Sequence, residues 1–508
     1  MNTAKRRWAC AAAAVGLLAV AAAFVVRFSY STSFLWPGYC GYDSAIFQTI
    51  GKYWVQGSVP YRDLFDHKGP LIFFIDMVGY WLYGRAGILV PQTLSLAATL
   101  FFFYRLGREY LPRPLAAAAA AAGLVYLART FDEGNLTEEY ALPFIAASLW
   151  LALRWEKQRE ASPDAPHPWR YAAVYGVSFG AILLLRVTSA VSVCCFVLAI
   201  TVYTVCKGQW RALGRNAAGF VGGFAAVIAP FCGYFAAHGA LGEMVYGTIG
   251  YNLLYATEFS LTDYYGGSPW ASATFRRTVL DFGAPLFALA ALALLCAVLA
   301  PRAPLGWAGL LAAGLNMYLL FSNRPYLHYF MIVAPLVVLC AALAGWLWQR
   351  RGRGKGARAA ALAGLALAAL VAVNMAARLP AWQRDSFMAR YPYEVADYNE
   401  IARSMAAVIP ADERDSVLAW EVDAQWYLAT DIRPCQNYFV HQQWQSAADP
   451  AMAARQAEAL AADPPAWLVV GQGASAAVTE LLAREYTAVS GQTQFTEFTG
   501  YTLYRHNG

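Results

Sequence analysis

Between Gly41 and Phe74 the chain reads GYDSAIFQTIGKYWVQGSVPYRDLFDHKGPLIFF, placing Asp43 ahead of a helical pattern and then gathering Tyr61, Arg62, Asp63, Asp66, His67 and Lys68 in one short run. A second segment, FDEGNLTEEYALPF, supplies Asp132, Glu133, Glu138 and Glu139; a third, NRPYLHYF, supplies Arg324, His328 and Tyr329. A positioned carboxylate takes the proton of an attacking hydroxyl. Lysine or arginine at a bilayer edge holds an anion such as a phosphate by charge-assisted hydrogen bonds. A solvated loop face would show the same charges, so the pattern alone leaves both readings open. Asn135-Leu136-Thr137 is a glycosylation sequon, a tripeptide that also occurs by chance.

The elements around these residues belong to a membrane protein. The 508 residues are 59% hydrophobic and only 14% charged, which a soluble protein would accommodate only by exposing large apolar surfaces. After Lys5-Arg6-Arg7 comes an apolar run from Trp8 to Val26, longer than a signal-peptide core and read as an uncleaved anchor with a cytoplasmic start. Further apolar runs fall at 88–106, 114–129, 138–153, 171–186, 188–206, 216–236, 279–299, 305–322, 326–348 and 359–378, giving about eleven transmembrane helices of the ~20 residues a span requires. Basic clusters (Arg105/Arg108/Arg113, Arg154/Lys157/Arg159, Lys207/Arg211/Arg215, Arg302 and Arg350 to Arg358) fall on alternate connections. They predict one cytoplasmic face and place the three chemistry-bearing segments, with everything after Leu379, on the other. Short basic clusters between spans also argue against a nucleic-acid partner.

Within the first external loop, Ile46, Phe47, Ile50, Tyr53 and Trp54 recur at helical spacing, so Ser44–Gln56 reads as an interfacial helix that fixes Asp43 at the membrane surface. Gly57 and Pro60 signal a turn, and Leu71–Tyr83 is short for a span. Loop 237–277 is rich in tyrosine and suits either a cover over the site or an aromatic belt; Arg129 and Arg186 read as helix-end anchors. Residues 379–508 regain soluble composition. Strands at Val417–Trp420 and Trp467–Val470, helices near Val395–Val408, Ala451–Ala462 and Ala476–Tyr486, and a hairpin around Thr499-Gly500 predict a small α/β domain. The chain thus divides into a membrane domain, 1–378, and an extracytoplasmic domain, 379–508. Most cysteines lie in apolar runs and none forms a metal motif; Cys40 and Cys435 fall on the same side, which leaves a disulfide open.

Tyr42-Asp43 after the first helix, an interfacial helix, and Lys68-Gly69-Pro70-Leu71 opening a second one resemble the GT-C membrane glycosyltransferases, in particular protein O-mannosyltransferases, RgtA/B/C/D-like proteins and lipid A aminoarabinose transferases. The resemblance implies an all-α polytopic domain with interfacial helices, and transfer of a sugar from a polyprenyl-phosphate donor to an extracytoplasmic acceptor with inversion. It implies Asp43 as general base and Glu138 as the second acid, orienting the acceptor or partnering Lys68, with Glu133 and Glu139 as alternatives. It places Lys68 and Arg324 on the donor phosphate, with His328, Tyr329, Arg62 and His67 in the binding set. Here Ser44 stands where mannosyltransferases often have glutamate, and Gly69 replaces the first proline of a common Lys-Pro-Pro form, which should loosen the turn. The family allows a divalent metal, but no ligand spacing here demands one. A transporter or flippase of lipid-linked glycans is the competing class; it would favour midplane charges and repeated halves, whereas these acids gather at one face and no repeat is visible.

Overall fold

The computed structural model describes residues 3–36, 38–39, 41–257, 260–322, 324, 326–350, 355–385, 391–441, 449–472, 474–491 and 499–508. The chain enters through α1 (Thr3–Phe28), and the first loop holds α2 (Asp43–Val55) and α3 (Pro70–Gly87), followed by α4 (Leu89–Arg108), α5 (Arg113–Thr130), α6 (Thr137–Ala161), α7 (Trp169–Leu183), α8 (Val191–Cys206) and α9 (Trp210–Ala237). Three short helices, α10 (Leu241–Val245), α11 (Tyr251–Thr257) and α12 (Leu261–Tyr264), occupy the aromatic loop before α13 (Ala273–Phe282), α14 (Ala284–Leu299) and α15 (Pro304–Phe321). A 3-10 helix, Leu327–Val333, leads into α16 (Ala334–Gln349), and α17 (Lys355–Asp385) runs past the expected boundary at 378. Among the described residues, six helical runs are long and apolar enough to cross a membrane, or seven if α13 and α14, bent by 52° at their junction, form one. Length and apolarity therefore do not reach the expected eleven. Arginines close both ends of α5, charges fill the second half of α6 from Arg154 to Glu160, and α7 has only 15 residues.

The first loop folds as its periodicity predicts, with one difference. Although α2 was expected on the membrane surface, Ala45, Phe47, Ile50 and Tyr53 are all buried, because α3 packs on one side and the C-terminal domain covers the other. Tyr83 and Gly84 break α3 near its end, and the φ of +59° at Gly84 is one that glycine adopts without penalty.

In the C-terminal domain α18 (Tyr391–Ala406) precedes β1 (Val417–Trp420), α19 (Gln425–Thr430), α20 (Pro450–Ala462), β2 (Trp467–Val470), α21 (Ala476–Glu485), β3 (Tyr486–Ala488) and β4 (Thr502–His506). The sheet order is β1-β2-β4-β3, with β1 and β2 parallel and β4 antiparallel to both its neighbours. Every residue of β1 and β2 is buried, since both sheet faces are covered. The expected hairpin begins in 492–498, outside the described residues, as does Cys40; β4 pairs with β3 and β2.

This domain is fastened to the first loop. Lys52 pairs with Asp431, Phe65 N–H donates to the Asn437 carbonyl (3.0 Å), and Tyr246 donates to Asp449. Asn399, 1% exposed, accepts from Tyr39 N–H (3.0 Å) and donates to its carbonyl (2.8 Å).

Within the bundle, α7 and α9 lie against each other through glycines. A Cβ on Gly176 would stand 2.0 Å from the Phe220 carbonyl oxygen, and one on Gly223 2.1 Å from that of Ala173. Small residues give such close approach in membrane helices. Gly176→Val should lower the thermal unfolding midpoint of the detergent-solubilised protein, the overpacking costing about 1–3 kcal/mol. Gly222→Ala, whose Cβ meets nothing within 4 Å, should leave it unchanged. A parental midpoint for Gly176→Val would show that this contact does not hold the two helices.

Candidate active site

The turn carrying Lys68 is built by contacts that the sequence pattern does not display. Tyr61, held at φ +67°, donates its hydroxyl to the Lys68 carbonyl (2.7 Å), and Asn252 donates to the His67 carbonyl (2.7 Å). The aromatic loop thus touches this segment through Asn252. Gly69 does not loosen the turn, contrary to expectation. Gly69 N–H donates to the Leu185 carbonyl (3.3 Å) and Leu71 N–H to that of Leu184 (3.0 Å), and a Cβ on Gly69 would lie 2.2 Å from the Leu184 oxygen. Absence of a side chain docks the lysine turn directly on the end of α7.

The result is a chain of polar groups. Lys68 Nζ lies 3.9 Å from Asp43 Oδ2 and 2.9 Å from His67 Nε2, while His67 Nδ1 lies 3.4 Å from Asp66 Oδ1. Burial alone would depress the Lys68 ammonium, but the charge of Asp43, with that of Asp66 behind it, outweighs it and holds the pKa above the usual lysine range. His67 is pulled below its ordinary value by burial and the adjacent ammonium, so it is neutral and accepts from Lys68 through Nε2. Burial would raise the Asp66 carboxyl, but its contacts with His67 and Lys68 keep it low. Lys68 is 10% exposed at its side chain and Asp43 37%, so the aspartate is the member of the pair that incoming molecules can reach.

Opposite this turn, the start of α6, the end of α7 and the 3-10 helix before α16 converge. Arg186 donates to Glu138 Oε1 (2.5 Å) and its guanidinium lies 3.4 Å from the centre of the Tyr329 ring. His328 Nδ1 lies 2.9 Å from Asp132 Oδ2, close enough to Glu138 and Asp43 to feel their charges. Asp43, Lys68, His67, Glu138, His328 and Tyr329 are therefore gathered as expected. Arg324 lies half-buried in the loop before the 3-10 helix. Arg62 turns away, bonding Asp63 and the His238 carbonyl. Glu139 faces inward, accepting from Gln92 and from Asn135 N–H (2.9 Å).

Glu133 brackets the aspartate from behind. Its carboxyl accepts from Tyr42 N–H through Oε2 and from Ser44 N–H through Oε1, both at 2.8 Å, which pins the backbone on either side of Asp43. Asn135 of the sequon is fully buried and donates to Ser44 and Asp76, so in the folded chain it is a structural residue.

Sequence reasoning undervalued Arg186, Asp132 and Asp66. The signal for Arg186 was its isolation as the charge between two short apolar runs; its pairing with Glu138, 48 residues away, is a tertiary fact. As for a divalent metal, the acids are already engaged by Arg186, His328 and His67, and among the described residues no group of three or more His, Cys, Asp or Glu side chains converges on one point. The donor set does not fit a metal centre.

This arrangement, a helical membrane bundle with two loop helices and a capping α/β domain, is a fold that solved structures share. It is similar to the crystal structure of ArnT from Cupriavidus metallidurans bound to undecaprenyl phosphate, at 14% identity and a TM-score of 0.55 over 96% of this chain and 97% of that one. It is also similar to the apo oligosaccharyltransferase of Archaeoglobus fulgidus, at 14% identity and a TM-score of 0.53 over 90% of this chain and 69% of that one. No protein-family model and no curated protein matches the sequence.

Burial, with Asp132 and Asp43 nearby, pushes the Glu133 carboxyl up to about 8 against the pull of its two N–H donors. A folded value above the ordinary ~4.5 means that its stabilising contribution is complete below that pH and is lost as the pH rises through about 8. Between pH 5 and 8.5 the unfolding midpoint of the parent should therefore fall more than that of Glu133→Gln, which does not titrate. Parallel curves for the two proteins would refute this account of Glu133.

Proposed function

We propose that the chain is a glycosyltransferase that moves a sugar from a polyprenyl-phosphate donor to an acceptor hydroxyl, with inversion at the anomeric carbon. The observation that carries this reading is the reachable Asp43 carboxylate beside the buried, positively charged Lys68. The acceptor oxygen attacks the anomeric carbon as its proton passes to Asp43. The bond from that carbon to the phosphate oxygen breaks with its electron pair, and polyprenyl phosphate leaves as an anion beside Lys68, with Arg186 and Arg324 as further cations. Glu138 is a positioning residue here, because it holds Arg186 rather than Lys68. The undecaprenyl phosphate in the similar ArnT structure supports this donor class. The site face is extracytoplasmic in this proposal and the N-terminus cytoplasmic, a reading supported by the basic clusters at the far ends of α4, α6 and α16.

Asp43→Asn keeps the shape of the side chain but removes its capacity to accept a proton at neutral pH. Transfer from a defined polyprenyl-phosphate sugar should fall about a hundredfold or more with donor binding retained. Near-parental transfer by an equally stable Asp43→Asn protein would overturn the assignment and favour a transporter or flippase.

Lys68→Ala should instead weaken polyprenyl-phosphate binding about tenfold or more, the loss of a hydrogen bond to a charged group. Unchanged binding would remove Lys68 from the phosphate. A reporter fused after Tyr504 should be active only outside the cytoplasm, and cytoplasmic activity would refute the topology.

A further inference from the structure

At the end of the bundle away from Asp43, the loop between α6 and α7 tucks His167 among the rings of Trp155, Tyr171 and Tyr175. His167 is 3% exposed, yet neither ring nitrogen has a hydrogen-bond partner among the described residues. The same holds for the buried Tyr175 hydroxyl, and the Asn216 amide lies beside His167 without meeting hydrogen-bond geometry, its Oδ1 also unpartnered. Buried polar groups almost always have partners, so three such groups lining one space mark a place built to receive a donor and acceptor from outside the chain.

His167 lines two spaces at once. One is a cavity of about 270 Å³ among α7, α8 and α9, shared with Tyr175 and Asn216 and otherwise mainly apolar, with Val197, Ile200 and Phe220 in its wall. The other is a wider depression of about 790 Å³ at the helix ends, lined by Trp169, Trp210, Arg211 and Arg215 together with Asp164. Trp169 and Trp210 are more than half exposed and mark the level of the membrane interface. Arg211 and Arg215 have no ion-pair partner among the described residues, whereas the one acid in the wall leaves the depression net positive. Burial pulls His167 down to about 4, so its ring is neutral, with one nitrogen to donate and one to accept.

An apolar slot, a ring of neutral polar groups at its mouth and paired arginines at the interface succeed one another in the order of an anionic lipid's own parts. We infer that this is a binding site for an anionic phospholipid of the surrounding membrane, with an acyl chain between α7, α8 and α9 and the phosphodiester at the level of His167, Arg211 and Arg215. Anionic lipid enriched in one leaflet is attracted to basic pockets between helices at that face. A soluble phosphate would leave the slot unused, and a neutral lipid would leave the arginines unanswered. The site is remote from Asp43 and does not depend on the proposed transfer reaction.

The test is native mass spectrometry of the full chain released from detergent with phosphatidylglycerol or phosphatidylcholine of identical acyl chains. Phosphatidylglycerol should be retained preferentially. Arg215→Gln, at an exposed position that should not affect folding, and His167→Phe, which keeps the aromatic packing, should each reduce that retention about tenfold, the loss of one hydrogen bond to a charged group. Arg302→Gln, in a different loop, should change nothing. Equal retention of the two lipids, or undiminished retention by Arg215→Gln, would overturn the proposal. So would an unfolding midpoint raised as much by inorganic phosphate as by phosphatidylglycerol, since the slot would then contribute nothing.

Discussion

A buried ammonium in a loop at a membrane surface survives only if its charge is answered on several sides, and most of the surrounding construction follows from that requirement for Lys68. Asp43 answers it from the start of α2, and Asp66 does so through the neutral His67. Each of these acids must in turn be fixed. Asp43 is fixed by Glu133 across the backbone amides, and Asp66 by accepting the Lys68 amide (3.0 Å). The lysine carbonyl, which would otherwise be stranded, receives the Tyr61 hydroxyl. One buried cation thereby commits the first loop, the α5–α6 loop and the aromatic loop to a single arrangement.

The C-terminal domain belongs to the same arrangement. Many of its contacts fall on the first loop, Asn399 on Tyr39, Asn437 on Phe65 and Tyr61, Asp431 on Lys52, and Asp449 meets Tyr246 of the aromatic loop. Surface ion pairs contribute little individually, but Asn399 bonds both backbone polar groups of Tyr39 and is buried while doing so. This fixes the chain entering Asp43 from the side opposite Glu133. A domain that only bound acceptor molecules at a distance would not need to grip the peptide units that lead to the aspartate.

Those elements whose signal is local were legible in the sequence. The span of α2 follows from five apolar residues at helical spacing, β1 and β2 from four-residue apolar runs, and the grouping of Asp43, Lys68, Glu138, His328 and Tyr329 from their position at helix ends on one side. What was not legible depends on approach between distant backbones. Gly69 read as a loosened turn because its neighbour, the Leu184 carbonyl, is 115 residues away and nothing in the local pattern announces it. Arg186 read as an anchor for the same reason. Arg62 read as a site residue because it stands in a charged run, but its neighbour Asp63 captures it first. The apolar test does not count α5, α6 and α7 as spans because they carry arginine, acids or short length.

Below Asp43 lies a layer that gives these acids two different fates. Ser44, Gln48, Asp76, Gln92, Asn135 and Glu139 are all fully or almost fully buried and bond one another, with Tyr140 closing on Asn135 at 2.8 Å. Among their described contacts Asp76 and Glu139 meet amides, whereas Asp43 and Glu138 meet Lys68 and Arg186. An acid whose partners are neutral and which is shut from water has little access to a reacting hydroxyl and holds structure. An acid paired with a cation at the edge of that layer meets a charged partner instead, and Asp43 is also reachable from outside. Depth and partner type, rather than the presence of a carboxylate, therefore separate Asp43 from Glu139, although the sequence presents both as acids beside an apolar helix.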